Sequence, residues 1–410
     1  MAALLLLAGI PGCKFDPGGL SPGGETRADS GPPVDGVPLP VDGRPATDSG
    51  AGTDSGVTMD SGTAIDASLP PRPDAAPDNQ RRKQITIDAA RVQAPAVPGS
   101  LADFPVLFSV VDPDIRARAA ADGSDIYFTD ALGVTRLVHE IEKWDPTTGA
   151  LVAWVKIPSL SASLNTVLYV NYGGQAEPVT PANVWTSDFA AVWHLAQDPG
   201  PGTSRGIIDS TGGNDGTAHE SMQSGDLVAG QIGNAIDFDG TDDEITFNNP
   251  ITGSRSHTIS AWVNQRSSSN DDAVVVLGTG VMNQARWLYS VRSGGDVAVG
   301  FYTNDRTSGT NIENDGWRLL HWTYDGTTSR LYVSGAQQGA DFTAGSVDTR
   351  GNTGWIGNVS AAAFGSNLNL NGQIDEVRIA TVARPVEWIT TEFNNQSSPA
   401  TFYTVGPESE

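Results

Sequence analysis

The sequence predicts an all-β protein, a small β-sandwich followed by a larger jelly roll, behind a polar N-terminal segment. Three observations predict it. From Gln80 onward the apolar residues fall in short runs rich in Val, Ile and aromatics, many alternating with polar residues at period two. Gly, Pro, Asp or Asn punctuates the joins, which is the turn chemistry of antiparallel strands. Helix-length periodicity is missing except at "RPVEWITTEFN", where Pro385 suits the first turn of a short helix.

The N-terminal segment differs in texture. "MAALLLLAGIPGC" is an apolar run ending in small residues and Cys13, too short to span a bilayer, which takes roughly 20 residues. It reads as a secretory signal. Ending on Gly-Cys, it resembles a bacterial lipoprotein signal, which implies lipidation of Cys13 and an outer-membrane lipoprotein facing outward. No Lys or Arg precedes the apolar run, so we expect a start upstream of Met1. Residues 14–80 are Asp, Ser, Gly, Pro, Thr and Ala with almost no aromatics. Asp48, Asp54, Asp60 and Asp66 recur every six residues there, but nothing recurs that could be buried. A solvated, disordered stalk is the expectation.

Charge excludes some partners. The 24 Lys and Arg stand against 48 Asp and Glu, a net charge of −24. Such a surface repels nucleic acid and anionic lipid, so contact with a membrane is expected only through the lipid anchor. With a single cysteine no intrachain disulfide can form, and the folded units rely on their cores.

The first folded unit spans about 82 to 185. "DFPVLFSVV", "SDIYFTD", "HEIEKWD", "LVAWVKIPSL" and "NTVLYVNYG" read as strands of a sandwich, with "DPTTG" as a hairpin loop. Glu140 and Glu142, two apart, share one strand face, the placement a glycosidase acid pair needs. A solvent-facing strand edge beside buried Ile141 is the plainer explanation of the pair. His139-Glu140 lacks the second His of a zinc-protease motif. Taken in order, these segments resemble the domain-of-unknown-function family 2341. That family occurs in bacterial envelope proteins, often just before a lectin-like jelly roll, and implies no established chemistry.

The second unit spans about 188 to 406, with about a dozen strand segments. "TYDGTTSRLYVSG" is a hairpin signal with Asp325-Gly326 at the turn. Trp287 and Tyr289 share a strand face. Trp262, Trp317, Trp322 and Trp355 lie in other strands, where alternating aromatics are more often core than sugar platforms. "AIDFDGTDDEITF", "TISAWV", "GWRLLHWTYDGTTSRLYVSG" and "LNGQIDEVRIA" resemble the laminin-G-like, concanavalin A-like lectin/glucanase superfamily, which implies a jelly roll. Laminarinase-type members carry two Glu and an Asp on one strand, roughly E-x-D-x-x-E. Here Gln373 replaces the first Glu, and Val377 and Arg378 stand where the last could be, so no catalytic residue is expected.

Within "NGQIDEVRIA", strand alternation places Val377 and Ile379 on one buried face and sets Asp375 and Glu376 on opposite faces. "DSTGGNDGTAHE", Asp209 to Glu220, has the length of an EF-hand loop but puts Asn214 where the invariant Gly belongs. The laminin-G resemblance implies that first and last strands pair. That would bring Asp209 near Asp375 around a structural Ca²⁺, with Asn214 and loop oxygens completing the shell. The alternative is that both carboxylates cap turns.

These readings lead to a non-catalytic, surface-exposed binding or adhesion protein that recognises carbohydrate or an envelope or extracellular protein. The alternatives are a secreted polysaccharide-degrading glycoside hydrolase using Glu140 and Glu142, or a purely structural envelope module.

Overall fold

The computed structural model describes residues 80–410, apart from 177–180, 187, 203, 269–270, 293, 360–363 and 366–367. The signal-like segment with Cys13 and residues 14–79 of the expected stalk lie outside the described residues. Both sandwiches fall within one compact unit, Arg72–Glu410.

The first part of the fold contains β1 (Arg81–Ile87), β2 (Ser100–Val111), the short helix α1 (Pro113–Arg118), β3 (Tyr127–Asp130), β4 (Arg136–Leu137), β5 (His139–Asp145), β6 (Ala150–Ser161) and β7 (Thr166–Tyr172). The jelly roll begins with β8 (Phe189–Trp193), β9 (Gly206–Ile207), β10 (Gly216–Ala218), β11 (Leu227–Ala229), β12 (Asn234–Asp239), β13 (Ile245–Asn248) and β14 (His257–Gln265). It continues through β15 (Asp272–Gly278), β16 (Ala285–Arg292), β17 (Asp296–Gly300), β18 (Asp305–Asn311), β19 (Trp317–Tyr324) and β20 (Thr328–Val333). Strands β21 (Ala336–Thr343), β22 (Thr353–Ile356) and β23 (Asn371–Ala380) complete it. The chain ends in α2 (Val386–Ser397), α3 (Pro399–Phe402) and β24 (Tyr403–Ser409).

In the first sandwich β2 and β6 pair without a break from Ser100–Ser161 to Val111–Ala150, and β5 extends this sheet. Opposite lies a sheet in the order β24-β1-β7-β3-β4. Between them Phe108 on β2 meets Phe128 on β3 edge-on, ring centroids 5.4 Å apart. The "DPTTG" hairpin forms as expected: Asp145 Oδ1 accepts from Thr147 N at 2.8 Å, and Gly149 takes the left-handed φ of +79° that the turn requires.

The chain terminus is placed differently from the sequence reading, which runs the jelly roll to residue 406. Tyr403–Ser409 instead pairs with β1 at the edge of the first sandwich. The reason is local. Asn395 on α2 donates to Leu107 O at 3.0 Å and accepts from Leu107 N at 2.7 Å, so the helix is docked on β2. The Tyr403 hydroxyl does the same with Ser109, and β24 then covers an otherwise open strand edge.

The jelly roll has one sheet ordered β18-β17-β16-β15-β22-β13-β10-β9 and a second ordered β11-β12-β23-β14-β19-β20-β21, with β8 also on β23. Phe238, Ile259, Val275, Leu288, Trp322 and Ile374 pack between them. The outer face of the second sheet is not free. Trp262 and Leu319 from that face join Phe104, Trp154 and Trp388 in the core cluster of the first sandwich. Strand β23 is therefore buried on both faces from Ile374 to Ala380, where the sequence reading expects one.

Candidate functional sites

Strand β23 carries a bulge. Ser260 pairs with Arg378 and Trp262 with Asp375, so Ala261 alone stands opposite both Glu376 and Val377. Glu376 takes a left-handed φ of +53° to accommodate the extra residue. The bulge breaks the expected alternation: Asp375 and Glu376 are 0% and 1% exposed and belong to one buried group of charges.

That group is assembled from both sandwiches. His194, just after β8, places Nδ1 2.7 Å from Glu376 Oε1 and 3.6 Å from Glu142 Oε2 on β5. Its Nε2 lies 3.4 Å from Glu140 Oε2. Glu140 also accepts from Trp185 Nε1 at 2.8 Å and from Ser210 Oγ at 2.7 Å, and Glu142 accepts from Trp154 Nε1 at 2.9 Å. Arg378 bridges Glu376 at 2.6 Å and Glu392 on α2 at 2.8 Å.

Crowding of carboxylates shifts their acidity. Burial, then repulsion from Glu376 and Glu140, pushes Glu142 up to about 7 against the attraction of His194. Burial and the charges of Glu376 and Glu142 raise Asp375 well above the usual carboxylate range. Burial works against charge on His194, but Glu376 and Glu142 outweigh it and hold the imidazole well above its ordinary value. The pair read as a possible glycosidase dyad is thus a buried junction element: the side chains of Glu140 and Glu142 are 10% and 2% exposed.

The residues of the expected Ca²⁺ set are each engaged by protein groups. Asp209 Oδ1 accepts from Val192 N and Thr211 N, and Oδ2 accepts from Thr211 Oγ1, Gly213 N and Asn214 N, all at 2.6–3.2 Å. Asp209 is a turn cap, the alternative reading. Asn214 turns its amide to Ala190 O at 2.9 Å. Asp375 Oδ2 accepts from Ile232 N at 2.8 Å, within the junction. Among the described residues the groups of three or more His, Asp or Glu with cation-binding spacing are Glu142–His194–Glu376 and the largely exposed Asp239–Asp242–Asp243. The physical reason is that β8 and β23 do pair, as Val377–Trp193, but the loop after β9 spends its acidic side chain on its own amides and on Val192 N of β8.

An open cleft lies elsewhere, on the outer face of the first jelly-roll sheet. Along β16, Leu288 points into the sandwich core while Trp287 and Tyr289 point out, as their shared face requires. Trp287 stacks on Tyr302 with centroids 4.9 Å apart, and Phe364 closes on them from the segment after β22. A cavity of about 310 Å³ is lined there by Trp287, Tyr302, Phe364, Asp271, Arg292 and Asp305. Arg292 bonds Asp271 at 2.7 Å and Asp305 at 3.1 Å, and Trp287 Nε1 donates to Asp305 at 2.8 Å. Burial raises the Asp305 carboxyl, against the pull of Trp287 and Arg292.

With the two-sheet architecture and both sites described, comparison with known proteins places the parts. Residues 239–390 match the family model described as the Concanavalin A-like lectin/glucanases superfamily. That stretch of the jelly roll is similar to concanavalin A-like domains. Residues 122–189, in the first sandwich, match the Domain of unknown function (DUF2341). No curated protein matches the chain. Among solved structures it is similar to domain 4 of AbnA, an extracellular arabinanase from Geobacillus stearothermophilus, at 17% identity and TM-score 0.37 over 50% of this chain and 98% of that one. The binding domain of Paraclostridial Mosquitocidal Protein 1 is similar at 14% identity and TM-score 0.38, over 50% of this chain and 52% of that one. A Trypanosoma rangeli sialidase matches at 11% identity and TM-score 0.39, over 61% and 42%. The chain thus spans about half the length of the toxin domain and less of the sialidase.

Sequence reasoning singled out Glu140, Glu142, Asp375, Trp287 and Tyr289. It missed His194, Arg378 and Glu392 in the junction, and Asp271, Arg292 and Asp305 in the cleft of the jelly roll. "VWHL" carried a usable signal, a histidine directly after a buried strand. The others have no local signature.

Proposed function

We propose that the protein is a non-catalytic carbohydrate-binding protein, and that its sugar site is the cleft of Trp287, Tyr302 and Phe364. The observation that carries this reading is the pairing of stacked aromatics with Asp271, Arg292 and Asp305 in one open cavity. An aromatic face takes the C–H side of a sugar ring, and a carboxylate–guanidinium–carboxylate row takes its hydroxyls. The concanavalin A-like family match supports the same class. The opposite face of the jelly roll is occupied by the first sandwich, which leaves this face for a partner. Lipidation at Cys13 and a solvated 14–80 segment would display the site away from a membrane.

The test is a glycan array probed with the full chain, followed by calorimetry on any hit. Tyr302→Ala and Arg292→Ala should each weaken binding at least tenfold while the melting temperature moves little. No binding to any glycan, or binding indifferent to both substitutions, sinks the assignment. Release of reducing sugar from the bound glycan would replace it with a hydrolase. Labelled palmitate entering the wild type and not Cys13→Ser tests the anchor.

A further inference from the structure

The junction between the two sandwiches holds more negative charge than its cations balance. Five buried carboxylates, Glu140, Glu142, Asp375, Glu376 and Glu392, share Arg378, two histidines, His194 and His321, and part of the charge of Arg384, which also pairs with Asp188. Two acceptor atoms there, Glu142 Oε1 and Asp375 Oδ1, are buried and receive no donor. Buried, uncompensated carboxylates of this kind are strongly unfavourable unless a proton or a cation joins them.

We propose that this junction binds one Zn²⁺-class divalent transition-metal ion through His194 Nδ1, Glu142 and Glu376. The three ligand atoms lie within 4.8 Å of one another. A tetrahedral ion with bonds near 2.0 Å holds its ligand atoms about 3.3 Å apart. The observed separations from Nδ1, 2.7 Å to Glu376 and 3.6 Å to Glu142, bracket that spacing.

The surroundings have the form of a metal site as well. Glu140 Oε2 lies 3.4 Å from Nε2 of the same imidazole, without a hydrogen bond to it, and its charge favours the tautomer that frees Nδ1 for an ion. Arg378 takes the other Glu376 oxygen, Oε2, and leaves Oε1 facing His194. Trp154 Nε1 orients Glu142. One imidazole with two carboxylates suits a borderline ion such as Zn²⁺ better than Ca²⁺, which wants six to eight oxygens. The ion would replace the proton between His194 and Glu376. Because its ligands come from β5, β23 and the end of β8, it would clamp the first sandwich to the jelly roll.

The experiment uses untagged full chain, stripped with chelator, reloaded with Zn²⁺ and desalted. Elemental analysis should find about one Zn²⁺ per chain, a content set by the single tetrahedral site. Reloading should raise the melting temperature by several degrees. Glu142→Gln and His194→Gln should each cut retained zinc at least tenfold, while Asp239→Asn, in the exposed acidic group, should keep it. X-ray absorption at the zinc edge should show imidazole and oxygen ligands without sulfur, an arm that needs only the wild type if a variant fails to fold. No retained zinc and no thermal shift in the wild type overturns the proposal and leaves the cluster held by protons alone. Zinc lost in Asp239→Asn but kept in Glu142→Gln overturns it too, by placing the ion on the surface.

Discussion

The guanidinium of Arg378 lies 4.2 Å over the ring of Trp154. It thereby ties the last strand of the jelly roll to the central strand of the first sandwich. Both residues are buried, and the same guanidinium bridges Glu376 and Glu392. Removing it would leave two interior carboxylates facing each other. Arg378→Met should therefore destabilise the protein by about 3–5 kcal/mol, read from urea unfolding. A loss under about 1 kcal/mol would show that protons or an ion balance the site without it.

Truncation after Phe402 removes β24 and exposes the edge of β1, together with the pocket of Tyr403, which is 4% exposed. The shortened chain should melt in two steps, the first sandwich at lower temperature and the jelly roll later. Residues 82–185 expressed alone should not fold, because they lack both β24 and α2. A single unchanged transition in the truncated chain would mean that β24 adds nothing to the sheet.

Acid sensitivity should trace to Glu392. Burial by itself would raise its carboxyl, but the bond to His321 and the charge of Arg378 hold it at about 2, below the ordinary 4.5. A depressed folded value means the unfolded chain takes up the proton first. The stabilisation is therefore complete above about pH 4.5 and fades as pH falls towards 2, by on the order of 3 kcal/mol. Glu392→Gln should be less stable than wild type at pH 6, and the gap should narrow at pH 3. Parallel pH profiles for the two proteins would count against this assignment.

Gly357 has φ +85°, and a Cβ there would sit 2.0 Å from the ring of Phe238. Phe238 is fully buried in the sandwich core and cannot swing away. Gly357→Ala combines a left-handed backbone with overpacking and should lower stability by about 2 kcal/mol or more. Thermal denaturation within a degree of wild type would show that the core yields there.

Much of the fold was legible because strand periodicity and turn chemistry are local. The Asp145–Gly149 and Asp325–Gly326 hairpins, the short helix after Pro385 and the shared face of Trp287 and Tyr289 all follow from a few neighbouring residues. The resemblance to the two families rests on the order of such segments, and the family matches at 122–189 and 239–390 agree with it. The sites were less legible. Asp209 was marked correctly as a candidate turn cap, but its pairing with Asp375 around Ca²⁺ required knowing which atoms the loop amides would claim.

By itself the sequence determined an all-β chain, its two strand-rich units, the position of its turns and the acidity of its surface. Only the tertiary structure decided that β24 returns to the first sandwich, that both faces of β23 are buried and that Glu376 turns inward at a bulge. The reason is physical. Periodicity records which face of a strand is apolar, whereas a buried polar face is stabilised by partners from elsewhere in the chain. His194 and Glu376 stand 182 residues apart and meet only because β8 pairs with β23 and β5 docks against both.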